Sequence, residues 1–204
     1  SIPSATQVEF EKYPMNLSQP GDIISFFDPE VGVFVAFREV LSRSGFVITF
    51  TDENFDITLD HLGANENLVP HDVAVTNNIF RKYRGRGVYA RLKNSSIDNN
   101  EFSQLSGNAI ELSNIANTSS GFFEGGISEN VTIADNIIDN VSLNSHNKQL
   151  IYSGDISVRL LNSSSDLAQD IGAKNITIQG NTITNFYENA IFMSNTEGAL
   201  VDNN

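Results

Sequence analysis

One short pattern recurs along the last two thirds of the chain and constrains its fold more than any other feature. Aligned on an asparagine, the units are VAVTNNIF (73–80), SSIDNNEF (95–102), VTIADNII (131–138) and ITIQGNTI (176–183), with LVDNN opening a fifth at 200–204. The aligned residues are Asn78, Asn100, Asn136, Asn181 and Asn204, separated by 22, 36, 45 and 23 positions. A β-branched aliphatic residue stands three before each Asn, and in the full units an apolar residue, Phe or Ile, stands two after it. A second small–apolar pair lies about nine residues past the Asn, at Gly87-Val88, Ala109-Ile110 and Ala190-Ile191. A period near 22 is that of a solenoid. The units lack a leucine framework and show no 3.6-residue apolar period, which leaves short strands stacked coil on coil. The expected architecture is all-β: a right-handed parallel β-helix over residues 71–204. In such a coil the aligned Asn sits at the bend between two strands, where its amide can bond its equivalents above and below and satisfy buried polar groups. Asn also tolerates the left-handed backbone of a tight bend. The five asparagines are therefore assigned a structural role. The longer separations mark coils with inserted loops, at 111–128 and 141–174, where Asn, Ser, Gly and Asp dominate.

Residues 1–70 have a different grain. IISFF (23–27), VGVFVAF (31–37), FVITF (46–50) and ITL (57–59) alternate with turn-formers such as Pro20-Gly21-Asp22, Asp28-Pro29 and Arg43-Ser44-Gly45. Closely spaced strands joined by tight turns predict an antiparallel β-rich subdomain, a small barrel or sandwich.

Charge narrows the function classes. Twenty-five acids against twelve bases give a net charge of −13, which repels nucleic-acid phosphates and anionic lipid. Neutral glycans are compatible with that field; strongly anionic polymers need a local basic patch. No apolar run approaches the roughly 20 residues of a membrane-spanning helix. With no Cys and three scattered histidines (His61, His71, His146), no zinc pattern is present, and no metal or cofactor is expected. Ser1–Thr6 does not look like a leader, and SIPSATQVEF reads as a strand within a fold. The expectation is a segment of a longer secreted, periplasmic or surface protein whose signal peptide lies upstream.

Three places offer polar chemistry to an extended ligand such as a glycan or polysaccharide. The dense basic cluster Arg81-Lys82-Tyr83-Arg84-Gly85-Arg86-Gly87 supplies guanidinium forks for sugar hydroxyls or a carboxylate; pairing with surface acids is the alternative. Glu124, in Phe122-Phe123-Glu124-Gly125-Gly126, is placed where aromatics could desolvate a carboxyl, or else on an exposed loop. Asp155, in Tyr152-Ser153-Gly154-Asp155, is either a site acid or a turn cap. Glu111 and Glu129 add acids nearby. Glycoside hydrolysis needs two carboxyl groups roughly 6.5–9.5 Å apart for inversion or 5–5.5 Å for retention, and neighbouring coils can supply either, so spacing selects no pair.

The order Gly21-Asp22-Ile23-Ile24-Ser25-Phe26, then VTNNIFRKYRGRGV (75–88), IDNNEFSQLSGNAIEL (97–112) and FFEGGISENVTIADNII (122–138) resembles glycoside hydrolase family 110 over roughly residues 18–204. The resemblance implies a secreted bacterial exo-acting α-1,3-galactosidase, a parallel β-helix carrying a small inserted barrel, working by inverting, metal-free chemistry. It implies that Arg84, Arg86 and Glu124 lie on the acceptor side of the sugar. The family usually has Trp before that Glu, where this chain has Phe122-Phe123. Its paired aspartates lie upstream of the inserted barrel, outside this segment, so the full catalytic set is not expected here. A non-catalytic glycan-binding or adhesion module is the alternative from another class. A pectin-type lyase, which needs clustered aspartates for calcium, fits least.

Overall fold

The computed structural model describes residues 6–10, 17–53, 56–117, 122–123, 125–143 and 152–204. Among them there is no α-helix, and Glu66–Leu68 forms a 3₁₀ turn. The chain divides into two compact units. The first takes in Ser1–Val69, Asn114–Gly126 and Leu161–Asp170; the second takes in Pro70–Ser113, Ile127–Leu160 and Ile171–Asn204.

In the second unit each coil lays down three strands, and each strand pairs in parallel with its equivalent in the next coil. The first sheet stacks Ala74–Thr76, Lys93–Asp98, Ser128–Ala134 and Ala173–Gln179, ending on Thr196–Glu197 and Leu200–Asp202. The second stacks Ile79–Tyr83, Glu101–Leu105, Ile137–Asp139 and Thr182–Thr184. The third stacks Val88–Ala90, Ile110–Asn117, Ile156–Leu161 and Ile191–Met193. Three parallel sheets wound coil upon coil are the arrangement of a parallel β-helix. Its core comes from the inward alternate positions, among them Ile97, Ile133 and Ile178 from the first sheet, Phe102 and Ile138 from the second, and Ile110, Ile156 and Val158 from the third. Phe80 and Phe102 stack at 4.9 Å, nearly parallel, because the register places Phe102 directly beside Phe80.

At the bend between the first two sheets the asparagines form a continuous ladder. The backbone N–H and Nδ2 of Asn78 donate to Asn100 Oδ1 at 2.9 and 3.1 Å. Asn100 does the same to Asn136, Asn136 to Asn181, and Asn181 to Asn204. The left-handed backbone belongs to the residue before each ladder position: Asn77, Asn99, Asp135, Gly180 and Asn203 have φ between 50° and 64°. The bend thus divides two tasks that the sequence reading gave to one residue. The preceding Asn, Asp or Gly turns the chain, and the ladder Asn stays in ordinary backbone and bonds along the stack.

The third sheet corrects the predicted loop at 141–174. Ile156–Leu161 is a buried strand, not part of an exposed insertion. Val88, Ile110 and Ile191 each lie ten residues past their ladder Asn, whereas Ile156 lies twenty past Asn136. Part of the insertion therefore sits before this strand and displaces it from the expected spacing, and the rest follows it, at 162–172.

The first unit is built on a five-stranded antiparallel sheet, in the order Gln7–Glu9, Val47–Phe50, Val33–Ser44, Ile23–Asp28 and Leu62–Asn65. Ile24, Phe26, Val40, Ile48 and Phe50 form its core. The predicted strand ITL (57–59) is not a strand: Thr58 and His61 close a turn through His61 N–H to Thr58 O and Thr58 N–H to His61 Nδ1, and Ile57 alone enters the core. Asp22, from the Gly21-Asp22 motif, accepts from Gln19 N–H and Asn65 Nδ2, which ties the strand entry to the sheet edge. The 161–170 stretch bonds to the Asp28–Val33 turn through Ser163 N–H to Pro29 O and Phe34 N–H to Asp170 Oδ2. At Gly32, with φ +80°, a Cβ would meet Ala168 Cα at 2.7 Å, so glycine is needed there.

Candidate functional site

Alternation decides what the third sheet presents outward. Ile110 and Leu112 point into the core, so Glu111 and Ser113 point away from it. In the next coil Ile156 and Val158 point inward and Ser157 and Arg159 outward. Register aligns these sets: Ile110 pairs with Val88, Ile156 pairs with Ile191, and Ile110 N–H donates to Asp155 O at 3.1 Å. The outward columns that result are Tyr89–Glu111–Ser157–Phe192 and Arg91–Ser113–Arg159–Ser194; the column Gly87–Ala109–Asp155–Ala190, at the bend before these strands, turns toward the core, where Ala109 is buried and a Cβ at Gly87 would meet Phe102. Side chains from four coils are thereby brought onto one face.

Its centre is Glu111, which has no exposed surface. One carboxylate oxygen accepts from Arg86 Nε and the other from Arg159 Nη2, the latter at 2.5 Å. Arg159 also donates from Nη1 to Tyr152 O, while its buried Nε has no hydrogen-bond partner. Arg86 stands over the Tyr89 ring at 4.7 Å and Arg91 over the same ring at 5.4 Å, a cation–π pair of contacts. A buried carboxylate held by two guanidinium groups is costly to desolvate and stable only with this geometry.

Asp155 occupies a column otherwise filled by glycine and alanine and is 1% exposed. Burial pushes its carboxyl up to about 6, opposed by the nearby Ser142 hydroxyl. That hydroxyl makes no hydrogen bond of normal geometry, and Asp155 Oδ2 has no partner. Ser142, Ser153, Gly154, Glu188 and Asn189 line the hollow beside it. Below about pH 6 this carboxyl holds a proton, the state a general acid requires.

The predicted site residues separate on this frame. Arg86 is central. Arg84 is exposed on the turn that follows Ile79–Tyr83, and Tyr83 is exposed at the end of that strand. Gly85 N–H donates to Ser106 Oγ at 2.8 Å and Gly107 N–H to Gly85 O, so the turn bearing both arginines is fixed to the next coil. Gly87 belongs to packing: a Cβ there would lie 2.6 Å from both Phe102 Cδ1 and Ala109 O. Glu129 lies on the first sheet, in register between Lys93 and Lys174, and does not share the face of Glu111. Glu124 lies outside the described residues. Arg159, Tyr89 and Arg91 were not singled out from sequence. Aligning Ile156 with Ile110 and Ile191 would have found Arg159, because it stands three past Ile156 where Ser113 and Ser194 stand in the flanking coils. Among the described residues no three His, Asp or Glu side chains come together as a metal set, and no helix is long and apolar enough to cross a membrane.

No protein-family model and no curated protein matches the sequence. Among solved structures, the chain is similar to the tailspike gp61 of Pseudomonas phage phi297, at 14% identity and a TM-score of 0.34. The match covers 88% of this chain but 32% of the tailspike, so the chain spans about a third of that protein's length. At this level of likeness the fold assignment rests on the chain's own strand pairing.

Proposed function

We propose that this chain is part of a secreted glycan-acting protein, a glycoside hydrolase of the family 110 kind that removes terminal α-linked galactose. In this reading the antiparallel sheet of the first unit is the family's inserted barrel, and the outward face of the third sheet is the sugar site. The observation that supports it most directly is the Arg86–Glu111–Arg159 cluster on that face, with the buried carboxyl of Asp155 at the bend that precedes Ile156–Leu161. Arg86, and Arg84 on the same turn, donate to sugar hydroxyls. Asp155 holds the proton for the departing oxygen, and the resemblance adds Glu124 on the acceptor side. Glu111 anchors the two arginines and is not free to activate water. The second carboxylate that inversion requires belongs with the acids that the resemblance places upstream.

A non-catalytic glycan-binding module is the second reading. It is favoured by the burial of both acids, 0% exposure for Glu111 and 1% for Asp155, since a catalytic acid must reach its substrate. Incubating the full-length parent with an α-1,3-linked digalactoside, and following galactose by NMR, separates the two. Early release of β-galactose supports inverting hydrolysis and binding without release supports the module. Failure to bind or cleave any galactoside removes both.

A further inference from the structure

We propose that the bend between the first and second sheets carries a binding site of its own, for a sugar that bears a free amino group. The site is separate from the third-sheet face and does not depend on the function given to that face. It begins one position past each ladder Asn. Phe80, Phe102 and Ile138 pack into the core, so by alternation Ile79, Glu101 and Ile137 face outward. Register sets Glu101 beside Ile79 on one side and Ile137 on the other. Adjacent coils lie about 4.8 Å apart, so the two isoleucines stand about 10 Å apart with the acid between them. Both are exposed, at 61% and 56%, and flank a carboxylate instead of packing into the core.

These residues line a groove of about 380 Å³, within the range of small-ligand sites, roughly 300–1,000 Å³. The left-handed column before the ladder adds Asn77, Asn99 and Asp135 to its lining. Acceptors predominate there. Asp98 Oδ2 accepts from Thr76 Oγ1 at 3.0 Å and from Asn99 Nδ2 at 3.2 Å, and Thr76 Oγ1 accepts from Asn77 Nδ2 at 3.0 Å. A carboxylate can only accept, so this chain of bonds fixes which end of each amide is nitrogen and leaves Asn77 Oδ1 and Asn99 Oδ1 for a ligand. Glu101 and Asp135 add two carboxylates that form no ion pair among the described residues, and no Lys, Arg or His lines the groove. An anion is repelled from it, the more so in a chain of net charge −13. The ligand that matches brings donors, a positive charge and an apolar face. A bare polyamine would meet the carboxylates but leave the amide oxygens without donors. A pyranose ring offers hydroxyls to Asn77 and Asn99 and a C–H face to an isoleucine, and an ammonium on the ring adds charge-assisted bonds to Glu101 and Asp135.

The test is calorimetric titration of the full chain with the β-1,4-linked trimer of glucosamine, its N-acetylated counterpart, maltotriose and spermidine, at low and high salt. The glucosamine trimer is expected to bind about fivefold more tightly than either uncharged trimer at low salt, with the gap closing as salt rises. Glu101→Gln combined with Asp135→Asn should abolish the gap, and the left-handed backbone is kept because Asn already stands in that column at 77 and 99. Ile79→Ser combined with Ile137→Ser should weaken every trimer alike, with melting curves confirming that both double variants fold. Equal affinity for charged and uncharged trimers, or an amino preference that survives the double acid variant, overturns the proposal. Spermidine bound as tightly as the glucosamine trimer overturns it in favour of a bare cation site. Binding lost in Arg86→Gln but kept in the double acid variant overturns it by placing the sugar on the third sheet. Binding of no trimer overturns it outright, while the galactoside experiment above decides the third-sheet function separately.

Discussion

Replacing Asp155 with alanine should make the protein more stable at neutral pH, although a buried hydrogen-bonding group is removed. The neighbours in its column are Ala109 and Ala190, so an alanine side chain fits the stack without new contacts. The carboxyl ionises near 6 in the folded chain against 3.8 in its ordinary state. Because the folded value is the higher one, the native state binds more protons than the unfolded state between about pH 4 and 6. Stability from this group is therefore lost as pH rises through that window and stays lost above it. A difference of about 2.2 pKa units corresponds to roughly 3 kcal/mol at pH 7.5 and about 0.5 kcal/mol at pH 4. Lost packing of the carboxyl group offsets about 1 kcal/mol of this, leaving Asp155→Ala about 2 kcal/mol more stable at pH 7.5 and level with, or slightly below, the parent near pH 4. Urea unfolding of both chains at pH 4, 5.5 and 7.5 measures the difference directly. An Asp155→Ala chain less stable than the parent at pH 7.5, or a difference that does not change with pH, would refute the reasoning. Stabilisation combined with weakened sugar binding would mark Asp155 as a residue kept for function at the expense of stability.

Further consequences are equally open to measurement. Asn100→Leu removes the acceptor of Asn78 and the donor to Val75 O and Asn136 Oδ1; it should cost about 1–3 kcal/mol in chemical denaturation, and an unchanged midpoint would show that the ladder contributes little. Glu111→Gln leaves two guanidinium groups without their counter-charge and should cost about 3 kcal/mol, whereas Arg86→Gln, at the exposed end of the cluster, should cost markedly less. Equal losses in melting temperature would contradict that ordering. Gly87→Ala forces a methyl group against Phe102 and Ala109 O and should destabilise by about 1–3 kcal/mol; a neutral result would mean that the bend relaxes freely.

The coil architecture was legible because a buried amide recurs in register and little else satisfies a polar bend at every turn. The division of labour at that bend was also written in the sequence: Asn, Asp or Gly precedes every ladder position, at 77, 99, 135, 180 and 203. It was missed because both positions are so often Asn. The displaced strand Ile156–Leu161 hid for a different reason. An insertion before it doubled its distance from the ladder, so its polar outward residues Ser157 and Arg159 read as loop. In the first unit the turn at Thr58–His61 overrode the β-propensity of ITL through local bonds to a histidine. The candidate site was only half visible. Arg86 stood out by composition, but its partner Glu111 is 25 residues away and Arg159 lies a further 48 along. Such separations become neighbours only once the coil register is known, and no short motif encodes them.

The account rests on the outward face of the third sheet being a sugar site, and a crystal of the chain soaked with an α-galactosyl disaccharide tests that most directly. The predicted result is a sugar ring against Arg86 and the Tyr89 edge, with an oxygen within hydrogen-bond distance of the Asp155 carboxyl. Sugar bound on another face, or crystals that stay empty at saturating concentration while Arg86, Glu111 and Arg159 keep their pairing, would contradict it.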